Sequence, residues 1–337
     1  MAHPRVDVHH HFVPPFYAQA IKEAGGDPSG WPVPFWSPDS DLQFNDEERI
    51  VFTFLSITAP GAGILPLGEP QASFCRKANE YAAEICAAHP KRYGFFATVP
   101  SLLDEAAAQT EIAYALDNLK ADGIVLYTRY GRANHYLGHP DFKATWDLLN
   151  ARGAVVFVHP THPADTTLVN LRLPQPVIDY PHETTRTAVD LITSGTIRSC
   201  PAVKIILSHA GGTLPYLALR PASMLPYIPP VKPIEGAATA DEDLPPATTI
   251  MSNFIDDARS FYFDTALSAA PLQLALLKEF AQPGHVLFGS DFPYAPTPSI
   301  KYMNSLLDSM EDEDLVRSIG VGAARKLFPR LSGIITE

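Results

Sequence analysis

Short apolar segments alternate along the chain with longer amphipathic ones. Continuous apolar runs at residues 155–158 and 205–207 are typical of parallel strands covered on both faces. Eight segments of this kind are predicted as strands: residues 5–9, 51–57, 93–99, 123–127, 154–158, 204–208, 260–264 and 286–289.

Amphipathic patterns follow every predicted strand except the first. Ser101 with Asp104 and Glu105 marks the start of one helix, since a hydroxyl cap and early acidic residues favour an N-terminus. The predicted helices are residues 70–89, 102–120, 142–152, 184–199, 212–225, 270–281, 300–310 and 312–328. The alternation predicts an α/β chain of one domain, residues 1–337, folded as a distorted (β/α)₈ TIM barrel, with a doubly wound open sheet as the alternative.

Two stretches interrupt the alternation. Residues 13–46 follow the first strand and contain Trp31, Phe35 and Trp36, whereas residues 226–249 are proline-rich and lie between strands six and seven. Both are expected to be long, irregular loops, which in a barrel often cover or line a site.

Composition and charge narrow the class of partner. The chain has 337 residues, 46% of them hydrophobic, and a net charge of -12. Such a charge opposes binding to nucleic acid or to an anionic membrane. Cys75 and Cys86 lie on one predicted helix about 16 Å apart, too far for a disulfide. We therefore expect free thiols and a cytosolic protein.

The first predicted strand ends in three consecutive histidines. Strict alternation puts Asp7, His9 and His11 on one face of this strand and Val8 and His10 on the other. Two imidazoles on one face can bind the same cation. His10 is then expected to be a packing residue rather than a ligand.

Ionisable side chains also end three other predicted strands. His159 follows strand five, His209 follows strand six and Asp291 follows strand eight. The carboxyl ends of barrel strands meet at the face that carries the active site. Imidazoles and a carboxylate gathered there favour a divalent cation over simple packing. His162, three residues beyond His159, is a weaker candidate.

These motifs resemble the amidohydrolase superfamily, and more narrowly its branch around aminocarboxymuconate-semialdehyde decarboxylase. The matching segments are Asp7-Val-His9-His-His11, Val158-His159-Pro160, Ser208-His209-Ala-Gly-Gly212 and Gly289-Ser-Asp291-Phe-Pro293. The aromatic segment after the histidines, which includes Trp31, and Leu55-Ser-Ile-Thr-Ala-Pro-Gly61 are similar to the fungal 6-methylsalicylate decarboxylases within that branch.

The resemblance implies one divalent cation, Zn²⁺ or alternatively Mn²⁺, held by His9, His11, His159 and Asp291, and no organic cofactor. It implies that His209 acts beside the metal as a catalytic group. Arg220 matches an arginine that crosses a dimer interface to the partner's substrate, so a homodimer is expected, although a solvated arginine at a helix end is the alternative.

The same resemblance covers both hydrolases and decarboxylases. The fourth strand ends in Tyr127-Thr128-Arg129, without the lysine that bridges two metals in many related hydrolases. We therefore expect decarboxylation of a 2-hydroxybenzoate, most fittingly 6-methylsalicylate, with Asp291 or His209 as the proton donor. Arg220, Phe292 and Trp31 are expected to contact this small aromatic acid. A mononuclear hydrolase and a non-catalytic binding barrel are the alternatives.

Overall fold

Eight parallel strands form one sheet in the order in which they follow one another along the chain. The computed structural model describes residues 3–228 and 245–335. The barrel strands are β1 (Arg5–His11), β2 (Ile50–Ser56), β3 (Tyr93–Ala97), β4 (Gly123–Tyr127), β7 (Val155–His159), β8 (Lys204–Leu207), β9 (Tyr262–Asp264) and β10 (Val286–Leu287). A small antiparallel hairpin, β5 (Arg129–Tyr130) and β6 (His135–Tyr136), follows β4. The predicted (β/α)₈ barrel is confirmed.

Backbone hydrogen bonds join the first strand to the last and close the barrel. Val8 N donates to Phe288 O at 3.0 Å, and His11 N donates to Phe292 O at 2.8 Å. The N–H of Asp291 donates to the carbonyl of His9, also at 2.8 Å. The closure therefore brings two histidines of β1 next to the aspartate that follows β10.

Helices connect the strands around the outside of the barrel. They are α1 (Pro15–Glu23), α2 (Pro38–Glu47), α3 (Glu69–Ala88), α4 (Glu105–Asp117), α5 (Lys143–Ala151), α6 (Gln175–Thr193), α7 (Thr196–Ser199), α8 (Leu214–Leu217), α9 (Leu219–Met224), α10 (Ala247–Ser260), α11 (Pro271–Phe280), α12 (Thr297–Asp308), α13 (Glu313–Arg317) and α14 (Ala323–Leu327). Among the described residues, none of these helices combines the length and apolarity that crossing a bilayer requires.

The stretch after β1 is not the irregular loop that the sequence predicts, because it contains α1 and α2. Ser37 caps α2 through a reciprocal pair of hydrogen bonds with Ser40. The face that α2 buries includes Asp41 and Asn45 as well as Phe44. Since part of the buried face is polar, the apolar periodicity that marks a helix is weak here.

The proline-rich stretch also differs from its prediction. Residues 229–244 lie outside the described part of the chain. The helix α10 then occupies the end of that stretch and the residues up to β9, where no helix is predicted, and it buries Phe254 and Ala258. The helix α6 begins at Gln175 rather than 184, so the exposed His182 lies within it.

The strict alternation predicted for β1 is wrong, because the strand contains an irregularity between Asp7 and His10. Val8 packs in the barrel interior, and the ring of His9 still reaches the interior Phe157 at 4.9 Å. Asp7 instead pairs with His10, Oδ2 to Nδ1, at 3.0 Å. The irregularity is a bulge, which adds one residue to β1 relative to β2. It turns His9 inward, while His10 stays on the outer side and is hydrogen-bonded to Asp41 of α2.

The barrel interior below the site is filled by apolar side chains from nearly the whole length of the chain. Phe54, Phe96 and Phe157 of three different strands are members of this cluster. The segment after α13 closes it from beneath, with Phe328 packed on Phe54 at 4.2 Å between ring centroids. Ile335 belongs to the same cluster. The candidate ligands His9, His11, His159 and Asp291 lie at the opposite end of the barrel.

Candidate metal centre

Four predicted ligands converge at the carboxyl end of the barrel. Nε2 of His9 lies 3.4 Å from Oδ1 of Asp291, and Nε2 of His11 lies 3.2 Å from the same oxygen. With His159 at the end of β7, all four offer ligand atoms within 4.8 Å of one another. Residues separated by up to 282 positions therefore form one donor set.

The donor set fits a divalent cation. Nε2 of His9 and Nε2 of His11 are buried and have no hydrogen-bond partner, a costly state for polar atoms unless a ligand occupies the space between them. Tetrahedral coordination with bonds of about 2.0–2.1 Å separates neighbouring ligand atoms by about 3.3–3.4 Å. The distances of 3.4 and 3.2 Å to Asp291 already match that spacing.

A second set of contacts orients the ligand imidazoles. Nδ1 of His9 lies 2.8 Å from Oδ2 of Asp264, which is fully buried. Nδ1 of His11 lies 3.3 Å from the carbonyl of Ser56, and Nδ1 of His159 lies 2.7 Å from the carbonyl of the next residue. Since these oxygens only accept, each Nδ1 carries the proton and each Nε2 keeps its lone pair for a metal.

The protonation of the metal-free cluster is uneven. Burial lowers the pKa of His9, but the carboxylates of Asp264 and Asp291 outweigh it and raise the pKa to about 10. Burial, together with the neighbouring His11 and His9, holds the pKa of His159 well below its usual value. Burial opposes ionisation of Asp291, yet His9 and His11 keep its pKa well below the ordinary range. In the metal-free cluster the two carboxylates therefore favour the protonated form of His9.

His209 stands beside the ligands without joining their set. Its ring centroid lies 4.8 Å from that of His9, and its Nδ1 lies 3.1 Å from the carbonyl of Ala266. Its backbone N–H donates to Oδ1 of Asp264 at 3.0 Å. Burial, and the charge of His9, lower the pKa of His209. The ring is therefore neutral, with Nδ1 protonated and Nε2 available to a substrate.

Both His209 and Asp291 have left-handed backbone conformations, with φ of 53° and 62°. Such conformations cost non-glycine residues about 1–3 kcal/mol and concentrate at functional sites. Gly212 permits the turn after His209, because a Cβ there would clash with the carbonyl oxygen of Pro181. The tight turn holds the histidine ring over the barrel.

A cavity of about 210 Å³ opens directly onto this cluster. His159, His209 and Asp291 form one end of it, and Trp31 lines the wall. The Trp31 Nε1–H donates to the carbonyl of Tyr294 at 3.0 Å, which ties the stretch after β1 to the segment after β10. The other lining residues include Asp27, Ser29, Thr58, Tyr180, Leu267, Ser268 and Tyr294.

Three predicted site residues lie elsewhere. Phe292 is 9% exposed, stacks on Phe44 with ring centroids 3.9 Å apart and does not line the cavity, which Tyr294 lines; its expected substrate contact stays a prediction. His162 lines a neighbouring cavity with Arg129. Arg220 is exposed on α9 and does not line the cavity of this single chain.

The sequence-based reasoning missed two carboxylates of the site. Asp264 ends β9, so its place at a strand terminus was the signal that could have identified it. Asp27 follows α1 and lines the cavity, where burial raises its pKa. Nothing in the local sequence distinguishes Asp27 from a loop aspartate, because its position depends on how the stretch after β1 folds back over the barrel.

Comparison with known proteins identifies the family. The family model described as amidohydrolase matches residues 6–330. The chain belongs to the amidohydrolase family. The 6-methylsalicylic acid decarboxylase of Penicillium expansum is 51% identical over 334 residues, covering 99% of this chain and 98% of that protein. The enzyme of the same name from Aspergillus aculeatus is 49% identical over 332 residues, covering 97% and 96% of the two chains.

A solved structure of this amidohydrolase family agrees with the fold. A crystal structure described as an amidohydrolase II superposes with a TM-score of 0.84 at 27% identity, covering 96% of this chain and 99% of that one. The resemblance inferred from the strand-end motifs is therefore confirmed for both the fold and the family.

Proposed function

We propose that this amidohydrolase-family chain catalyses the non-oxidative decarboxylation of a 2-hydroxybenzoate, with 6-methylsalicylate giving 3-methylphenol and CO₂. The observation that carries the proposal is the small aromatic-walled cavity in which His209, free of the ligand set, faces the same space as His159 and Asp291. Relatives sharing about half of the sequence are decarboxylases of 6-methylsalicylic acid, which supports the same chemistry here.

The ligand residues are His9, His11, His159 and Asp291, which would hold one Zn²⁺ or, alternatively, Mn²⁺. When bound, the cation supplies positive charge against the carboxylate and the adjacent phenolic oxygen of the substrate. Asp264 contributes by fixing His9 in the tautomer that leaves Nε2 free.

The cavity favours a substrate of one ring. Its volume of about 210 Å³ is below the range of about 300–1,000 Å³ typical of pockets for drug-sized ligands. Trp31, Tyr180 and Tyr294 provide flat walls for an aromatic ring. The carboxylate of Asp27 in the same wall disfavours a second negative charge on the substrate and can accept a hydrogen bond from a ring hydroxyl.

Decarboxylation requires a proton at the ring carbon that loses CO₂, and His209 or Asp291 is its donor. The carbonyl of Ala266 holds the proton on Nδ1 of His209, so Nε2 is the atom that exchanges a proton with the substrate. A neutral His209 can take the phenolic proton as the substrate binds and return it to the ring carbon. The bond to the carboxyl carbon then breaks, CO₂ leaves, and the bond's electron pair restores aromaticity. The 3-methylphenolate that results takes a proton from solvent to give 3-methylphenol.

A homodimer with Arg220 reaching the partner's cavity is the second part of the proposal. Arg220 is exposed and lies among exposed apolar side chains, which are uncommon in such density on a monomer's surface. These neighbours are Tyr216 at 83% exposure, Tyr227 at 74%, Leu219 at 63% and Met224 at 42%. The three cysteines are free, which supports a cytosolic location.

The test is turnover of matched substrates. We expect 6-methylsalicylate to yield equal amounts of CO₂ and 3-methylphenol, with the activity lost on chelation and restored by Zn²⁺ or Mn²⁺. The matched control, 2-methylbenzoate, keeps the methyl and carboxylate groups but lacks the hydroxyl, and should be inert. Absence of CO₂ from 6-methylsalicylate in the metal-loaded protein, or equal turnover of 2-methylbenzoate, would overturn the proposal.

A further inference from the structure

A second group of potential ligands lies outside the cavity, in the loop that follows the hairpin β5–β6. His135, His139 and Asp141 offer ligand atoms within 4.8 Å of one another. The two imidazole rings are 4.3 Å apart between centroids, and Oδ2 of Asp141 lies 3.4 Å from Nδ1 of His139. None of the three lines the cavity described above, so they play no part in the proposed reaction.

The backbone brings these side chains together. His135 belongs to β6, and a turn closed by the bond from His139 N to Tyr136 O at 3.0 Å reverses the chain. A short 3₁₀ turn then begins, and the N–H of Asp141 donates to Nδ1 of His139 at 3.3 Å. The three donors are therefore held by local structure and not by chance contact between distant loops.

One potential ligand atom of this group, Nδ1 of His135, has no hydrogen-bond partner. Nδ1 of His135 is buried and makes no hydrogen bond, although the hydroxyls and carbonyls of a surface loop usually satisfy such an atom. The rings of His135 and His139 also lie side by side, and each neutral imidazole offers one ring nitrogen with a lone pair that can bind a cation. A cation between them would satisfy the buried nitrogen.

The geometry is less complete than in the first cluster. Tetrahedral ligand atoms around zinc are about 3.3–3.4 Å apart, so separations that lie within 4.8 Å must shorten by up to roughly 1.5 Å. The His139 and Asp141 side chains are 34% and 61% exposed and can rotate that far. Because the ligand side chains must rotate on binding, the affinity will be lower than at the first cluster.

We propose that His135, His139 and Asp141 form a second, weaker site for a transition-metal dication, completed by water. Two imidazoles and one carboxylate favour Cu²⁺, Ni²⁺ and Zn²⁺ over Mn²⁺, which binds such ligands least strongly. At this second site zinc is therefore expected to bind more tightly than manganese.

The test is metal stoichiometry in the untagged, metal-stripped full chain. Equilibrium dialysis should give two Zn²⁺ but one Mn²⁺ per wild-type chain. The double variant His135→Gln/His139→Gln should bind one Zn²⁺ and keep its decarboxylase activity. The matched control His182→Gln alters an exposed histidine of α6 and should still bind two.

Two further variants separate this site from the first. His159→Ala should lose the tighter zinc and retain the weaker one, whereas Asp141→Asn, an exposed change that spares folding, should weaken the second zinc about tenfold. The proposal is overturned if wild type binds a single Zn²⁺, or if the weaker zinc persists undiminished in the double variant and in Asp141→Asn. Failure of the proposed reaction would leave these stoichiometries unchanged.

Discussion

Replacing Asp264 with asparagine should weaken the metal centre without removing any ligand. Oδ1 of Asp264 accepts the N–H groups of His209 and Ala266 at 3.0 and 2.9 Å, and an asparagine oxygen can keep both bonds. The amide nitrogen then takes the place of Oδ2, 2.8 Å from Nδ1 of His9. Two donors would face each other, so the His9 proton must move to Nε2.

That tautomer has no lone pair on the atom that faces the metal. Loss of the partner that orients a ligand histidine typically reduces metal affinity about 10–100-fold. This factor corresponds to about 1.4–2.7 kcal/mol. We expect a loss of metal affinity near 100-fold, because the substitution reverses the tautomer of His9 as well as removing the contact that orients its ring. Activity should return at high metal concentration, since the substrate-facing residues are unchanged.

The assay is chelator competition for Zn²⁺, followed by activity as a function of free metal. Asp41→Asn is the matched control, because Asp41 is also fully buried and also binds a histidine, Nε2 of His10, at 2.7 Å. Disturbing this hydrogen bond in Asp41→Asn should lower the free energy of unfolding by about 1–3 kcal/mol. Metal affinity should change less than threefold. Equal zinc affinity in Asp264→Asn and wild type would refute the tautomer argument.

Three other results are expected. His209→Asn should keep the bound metal and lose activity by about 10²–10⁴-fold, the usual contribution of a proton-transferring side chain; retained turnover would assign the proton step to Asp291. Arg220→Ala should raise KM more than it lowers kcat, and mixing it with an inactive His209→Asn chain should restore part of the activity if the arginine serves the partner's cavity. Zinc affinity should rise with pH up to the His9 pKa of about 10, because the cation displaces the proton that this residue carries below that value. Calorimetry in buffers of different ionisation enthalpy should then find about one proton released per Zn²⁺ near pH 8, and release of none would contradict this protonation scheme.

The four predicted ligands lie together because barrel topology places the carboxyl ends of their strands at one face. Once strands are placed, the carboxyl ends of β1, β7 and β10 must meet, so His9, His159 and Asp291 can be brought together without knowing any distance. The same reasoning could have included Asp264 at the end of β9. It was missed because one aspartate without a histidine motif has no chemical signature along the chain.

Features that depend on a local irregularity were not predictable from periodicity. The register shift in β1 moves Asp7 to the side of His10, which strict alternation cannot express. Phe292 turns toward Phe44 because the backbone of Asp291 is left-handed, and one reversed φ changes where the next side chain points. The helix α2 was not predicted because its buried face includes polar side chains, which weaken the apolar periodicity of its sequence.

The way the barrel is closed from beneath has a consequence for synthesis on the ribosome. The interior cluster joins Val6 and Val8 of the first strand to Phe328 and Ile335, more than 300 residues later. Nascent chains fold progressively from the N-terminus, yet here the earliest strand cannot complete its packing until the last segment emerges. Partly synthesised chains will therefore expose Phe54 and Phe96, and retaining the segment around Phe328 should matter more for soluble expression than its distance from the metal suggests.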